Sequence, residues 1–324
     1  MKAKTNAVPH ALGSRSGAEK NRLMKWLISI RKNWMVYTLI LPGFLWYIIF
    51  AYGPIGGLTL AFKTYKASLG IWGSPWVGFE NYVYVFRDPA FVASIVRTLQ
   101  INLGRMLVTF PVPIILALLF NEIRSRKFKR ITQTILTFPN FLSWVIISSV
   151  VITLLAYDGP VNHLIKSMSG AGFNFLGNEK VFIPLLYLTE IWKSSGWFTI
   201  IYLAAISGID QDQYEAAEID GASRAQSIFR ITMPNIMPTI VIMLILTMGN
   251  LMTAGFDQIF NMSNAAVRQV SETLDMYIYR ITFQAPPEFS FSMAIALLRS
   301  VVNMMLLLLA DRGAKLMGGD GLLG

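Results

Sequence analysis

The sequence predicts an all-α protein embedded in a membrane, and three observations carry that prediction. Of 324 residues, 54% are hydrophobic and only 14% charged, an apolar excess beyond ordinary soluble usage. Six stretches are apolar over about 20 residues, the length at which a helix crosses roughly 30 Å of hydrocarbon. The basic residues cluster beside these stretches rather than on a face of their own. A single soluble core stops growing at roughly 250–300 residues, so the surplus apolar surface must meet lipid.

Residues 1–34 read as a polar tail carrying Lys2, Lys4, Arg15, Lys20, Arg22, Lys25, Arg31 and Lys32. That lead is too long for a cleavable signal peptide and no small-residue cleavage site follows, so residues 35–55 are expected to be the first transmembrane helix. Residues 56–93 form an external segment. A five-helix core then occupies residues 94–311, with spans expected at 94–120, 131–156, 181–206, 236–256 and 289–310, and residues 312–324 close the chain as a second tail. Pro111 and Pro113 in the second span and Pro139 in the third should kink or unwind their helices, because proline removes a ladder donor and clashes with the preceding turn.

Lysine and arginine favour the cytoplasmic side of short loops. The amino-terminal cluster, then Arg124, Arg126, Lys127, Lys129 and Arg130, then Arg224 and Arg230, then Arg312 and Lys315 all fall on one side of the six expected spans. Lys63, Lys66, Arg87, Lys166, Lys180, Arg268 and Arg280 are spread over longer segments on the other. Both termini are therefore expected in the cytoplasm. No internal repeat of 20–50 residues is visible, which removes support for a solenoid or a repeat-built transporter.

Topology also accounts for the net charge of +10, since a nucleic-acid footprint needs a solvated basic face. The absence of cysteine excludes disulfides, thiol catalysis and thiolate metal sites. His10 and His163 are the only histidines and lie far apart in sequence, so no metal centre is expected. No G-x-x-x-x-G-K-[ST] phosphate loop occurs. An ion-coupled secondary transporter would want repeats and buried coupling acids, for which Glu190 is the one candidate. An intramembrane enzyme would need paired catalytic groups, and none is visible.

The most informative stretch is residues 213–238, QYEAAEIDGASRAQSIFRITMPNIMP, between the expected fourth and fifth spans. Alanine and glutamate favour a helix from Tyr214 to Ile219, Gly221 permits a sharp turn, and Ser223 can cap a second helix that ends before Pro234. The expected element is a short cytoplasmic helix-turn-helix. Small Ala216 and Ala217 allow close approach of a partner, while Glu215 and Asp220 offer it carboxylates.

Glu215, Ala216, Ala217, Gly221, Ile231 and Pro234 fall at the spacing of the Glu-Ala-Ala coupling loop of ABC importer permeases, and the stretch resembles that loop. Met233 stands where the family has leucine, a volume-conserving change. WVGFENYVYVFRDPAF (76–91) looks like the external segment of maltose-type carbohydrate permeases. FPVPIILALLFNEIR (110–124), QTILTFPNFLSWV (133–145), EIWKSSGWFTIIYLAA (190–205) and GFDQIF (255–260) are similar to the polysaccharide-permease branch, which includes alginate importers. The resemblance implies a non-catalytic subunit of a binding-protein-dependent importer in a bacterial inner membrane. It implies four kinds of partner: a second homologous permease, two ATP-binding subunits that hold the ATP and Mg, an extracytoplasmic solute-binding protein, and an oligosaccharide cargo. No cofactor is expected in this chain. The coupling loop would seat on an ATP-binding subunit and turn its closure into rotation of the spans.

Charges inside a membrane are costly and mark functional candidates. Arg97, Arg105, Glu190, Lys193 and Arg299 fall within or near spans. Arg97 is expected to snorkel outward, and Glu190 with Lys193 has the spacing of a helical ion pair. Arg105 and Arg299 lie deeper and are candidate cavity residues. Four cations against one anion give +3, which would suit an acidic sugar. Trp144 and Trp197 are candidates for stacking on sugar faces. Many small-sugar permeases of the family carry asparagines just before the phenylalanine matching Phe256, where this chain has Ala254 and Gly255, so loss of those amides is expected to widen the path for a longer cargo.

Overall fold

The computed structural model describes residues 31–253, 255–284, 286–316 and 321; His10, Ala254 and most of both expected tails lie outside them. The described residues are helical almost throughout. Their extended pairing is an isolated antiparallel bridge between Lys63 and Trp76. The chain divides after Thr59 into two units.

The first unit holds α1 (Trp34–Tyr47), which continues through a π-turn, Ile48–Tyr52, into a 3-10 stretch, Gly53–Phe62. None of the residues of α1 is buried against protein, and a helix apolar on every side needs cover, which lipid supplies to a membrane span. Helical structure thus runs past the expected end at residue 55. The tighter 3-10 winding begins where Pro54, Gly56 and Gly57 disfavour the ordinary ladder.

The second unit contains α2 (Glu80–Arg87), α3 (Pro89–Thr109), α4 (Pro111–Asn121), α5 (Arg126–Thr137), α6 (Trp144–Leu155), α7 (Pro160–Ser169) and α8 (Glu179–Ser207). It continues with α9 (Asp212–Ile219), α10 (Arg224–Ser227), α11 (Met233–Gly249), α12 (Phe256–Met262), α13 (Leu274–Tyr279) and α14 (Phe289–Leu316). The expected proline breaks are present. The second span divides at Phe110, before Pro111, and Pro139 lies in a 3-10 turn, Phe138–Phe141.

The third expected span, 131–156, is not one helix. Its first part belongs to amphipathic α5, its middle is the 3-10 turn, and α6 supplies only 12 residues, about 18 Å at 1.5 Å per residue. Among the described residues, five helical stretches are long and apolar enough to cross a membrane: 34–62, 89–121, 144–169, 224–249 and 289–316. The expected fourth span is the 29-residue α8, whose middle carries Glu190, Lys193, Ser194 and Ser195. It is the central helix of the unit and packs against α3, α4, α5 and α11, so protein rather than lipid surrounds much of it.

Three apolar clusters hold the unit together. One joins Ile101, Ile147, Leu186 and Ile259; a second joins Phe91, Leu274, Tyr277 and Ile295; a third joins Ala117, Phe120, Tyr202 and Ile236. Each draws from helices far apart in the chain.

Candidate functional site

A cavity of about 310 Å³ opens between α3, α4, α6, α8 and α11. Asn102, Arg105, Trp144, Glu190, Tyr202 and Gly255 are among its lining residues. Arg105 is only 7% exposed. Its Nη2 donates to Gln258 Oε1 at 2.7 Å, and Gln258 Nε2 donates in turn to Leu186 O and Thr189 Oγ1, each at 2.7 Å. One polar chain therefore ties α3 to α12 and α8. Asn102 Nδ2 donates to Leu251 O at 2.6 Å and pins the turn that leads to α12.

Arg105 Nε and Asn102 Oδ1 have no hydrogen-bond partner among the described residues. Glu190 shares the cavity wall but is not within ion-pair distance of Arg105; its carboxylate accepts from Ser194 Oγ at 2.7 Å. The wall thus presents a buried guanidinium with no carboxylate of its own, a carboxylate, and an amide oxygen, beside the rings of Trp144, Phe198 and Tyr202. Such a set has the chemistry to hydrogen-bond polar groups of either sign and to pack against apolar faces.

Gly255 does not widen the cavity. It has φ +93°, and a Cβ there would fall on the Arg105 guanidinium. The space that the missing side chain leaves is filled by Arg105.

The other expected cavity residues are placed elsewhere. Arg299 is ion-paired with Asp275 of α13. Lys193 does not pair with Glu190: its Nζ donates to Asn140 O at 3.1 Å and Leu142 O at 2.5 Å, and lies 5.5 Å from the Trp144 ring centroid. It clamps the carbonyls freed by the break at Pro139. Trp197 meets Phe141 edge-on at 6.0 Å, and Phe256 stacks on Phe260 at 5.4 Å. Of the five charges that summed to +3, only Arg105 and Glu190 line the cavity, and they balance. Arg97 lines a separate surface groove with Arg268, Glu272 and Arg280. Gln258, Asn102 and Asp275 were not anticipated from the sequence.

In the 213–238 segment, α9 ends at Ile219, Asp220 follows, and Gly221 turns the chain with φ +76°. The Ser223 hydroxyl accepts from Gln226 N–H while Gln226 Oε1 accepts from Ser223 N–H at 2.7 Å, a reciprocal cap for α10. The helix does not end before Pro234. A π-turn, Ile228–Thr232, carries it into α11, where Pro234 is the second residue; the wider winding just before it makes room for a ring that an ordinary ladder would meet. Tyr214 Oη and Thr232 Oγ1 are 2.8 Å apart, and Asn235 Nδ2 donates to Gln213 Oε1 at 3.0 Å, so α9 is fastened to the start of α11. Ile231 and Met233 pack against the third apolar cluster. Glu215 and Ala216 face outward, and Ile219 and Phe229 are 86% and 72% exposed.

Residues 109–315 match the family described as binding-protein-dependent transport system inner membrane component. The chain is 40% identical over 305 residues to the polygalacturonan/rhamnogalacturonan transport system permease protein YteP of Bacillus subtilis, covering 94% of this chain and 95% of that protein. It is 38% identical over 300 residues to protein LplB of the same organism, covering 92% and 94%. A solved bacterial ABC transporter involved in import of the acidic polysaccharide alginate has a chain 33% identical to this one. They superpose with TM-score 0.81 over 90% of this chain and 98% of that one.

Proposed function

The chain belongs to the family of binding-protein-dependent transport system inner membrane components, and on that premise we propose that it forms, with a second permease, the gated path for an acidic oligosaccharide. As a permease subunit of an ABC importer it is a multi-pass, non-catalytic component of the inner membrane. An ion-coupled transporter reading has no observation in its favour.

The observation that carries the cargo assignment is Arg105: a buried cation on the cavity wall without a carboxylate partner. Glu190 balances its charge across the cavity without touching it, and the carboxylate of a uronate unit entering the cavity would supply the direct contact that Arg105 lacks. Glu190 and Asn102 are acceptors for the sugar hydroxyls, and Trp144 offers a ring for an apolar sugar face. The similarity to chains named for polygalacturonan and alginate systems supports the same class.

The outward face of α9, with Glu215, Ala216, Ala217, Asp220 and Gly221, is the docking element for an ATP-binding subunit, and Ile231 and Pro234 join it to α11. Exposure of Ile219 and Phe229 supports this, since large apolar side chains outside the bilayer call for a partner. The ATP-binding subunits, two in number, carry the ATP and Mg. With this face in the cytoplasm, both termini are cytoplasmic and the solute-binding protein docks on the opposite side.

The test is initial uptake of a uronate oligomer and a neutral oligomer of equal length into vesicles carrying the full complex. Arg105→Met is expected to slow the uronate oligomer at least tenfold more than the neutral one. Equal slowing would reject the acidic cargo while leaving the importer assignment standing.

A further inference from the structure

Helix α5, RKFKRITQTILT, lies outside both sites described above. Arg124, Arg126, Lys127, Lys129 and Arg130 fall within seven residues, and no carboxylate among the described residues pairs with any of them; nearby Glu122 is taken by Arg224. Phe128, Ile131, Ile135 and Phe138 follow at helical spacing, and their exposures lie between 49% and 65%. A basic, amphipathic helix with its apolar stripe uncovered is the pattern of a segment lying in the headgroup region of a bilayer.

A second observation makes the surface a site. A groove of about 310 Å³ runs along the helix from Arg130 and Thr134 to Phe138 and Phe141, with Ile200 of α8 forming its other wall. Its polar residues lie at the end nearer the basic cluster and its apolar ones follow toward the break at Pro139. Cationic and hydroxyl groups at one end and aromatic and aliphatic ones at the other match a phosphodiester headgroup and the upper part of an acyl chain.

We propose that the groove between α5 and α8 binds an anionic phospholipid, with Arg130 and its basic neighbours on the phosphate and Phe138, Phe141 and Ile200 along the chain. Charge complementarity selects this occupant, because five unpaired cations without an acid attract anionic lipid in preference to zwitterionic lipid. The site borders the turn that Lys193 clamps, so the lipid sits against the wall behind Trp144.

The full complex, reconstituted in nanodiscs of phosphatidylglycerol and phosphatidylcholine, is extracted and the lipid retained by this chain and its partners counted by native mass spectrometry. Phosphatidylglycerol should be retained over phosphatidylcholine. Retention should fall about fivefold per cation removed in Arg126→Gln and Arg130→Gln, and should also fall in Ile200→Trp, which fills the groove without altering charge. Arg130→Lys should retain it, which separates lipid loss from misfolding. Glycerophosphoglycerol, the headgroup without acyl chains, should not compete. Equal retention of both lipids, unchanged retention in the charge and groove variants, competition by the bare headgroup, or loss of the second permease from the complex in Ile200→Trp with lipid retention unchanged would overturn the proposal.

Discussion

The guanidinium of Arg105 occupies the volume that a Cβ on residue 255 would fill, so that Gly255 and Arg105, distant in sequence, are two halves of one fitted contact. Gly255 is thereby constrained twice, by its backbone at φ +93° and by its neighbour.

Gly255→Ala should therefore destabilise the chain by about 1–2 kcal/mol from backbone conformation alone, with a further loss from displacing Arg105. In a double-mutant cycle with Arg105→Met, whose side chain can move aside, the combined loss should be smaller than the sum of the single losses. Thermal unfolding of the purified complex measures both. Additive losses would show that the two residues do not meet.

Lys193→Met should leave the carbonyls of Asn140 and Leu142 without their donor and weaken the turn at Pro139, costing on the order of 1.5–3 kcal/mol. Because the role is one of support, uptake of acidic and neutral oligomers should fall together. A selective loss of the acidic cargo would instead place Lys193 in the path.

Arg299→Met should destabilise more than the Arg299→Met/Asp275→Asn pair, since the single change leaves a half-buried carboxylate without its partner. Unfolding midpoints of the single and double variants decide this. Neither variant should change the ratio of acidic to neutral uptake.

Gly221→Val puts a β-branched residue where φ is +76°, and Glu215→Lys reverses an exposed charge on the docking face. Each should abolish hydrolysis of ATP stimulated by loaded binding protein, while the spans remain folded by circular dichroism. Normal stimulation in both variants would remove the docking role from α9.

The breaks at Phe110 and Pro139, the turn at Gly221 and the cap at Ser223 were legible in the sequence because each is a local property: a missing N–H, a missing Cβ, a hydroxyl at the right offset. The partners of the buried charges were not. Arg105 finds Gln258 across 153 residues and Lys193 finds Leu142 across 51, and no periodicity in the chain signals either meeting. The +3 balance failed for the same reason, since it counted Arg299 without Asp275. The third span was misjudged because α5 has apolar residues enough to extend it, but they form a stripe rather than a full circumference.

The π-turn at Ile228–Thr232 has a mechanical consequence. By carrying the helix past Pro234 it leaves 26 residues, 224–249, as one continuous rod, roughly 39 Å long at 1.5 Å per residue. The π-turn, Pro234 and Pro238 all lie in that run, and these are the places where a helix bends: a tilt of about 5° carried rigidly would sweep the far end through roughly 3 Å, and bending at the prolines takes up part of it. Met243 and Thr247, near the far end, are part of the cavity wall. A push beside Ser223 would therefore reach the wall around Arg105 divided between tilt of the far segment and bending at Pro234 and Pro238.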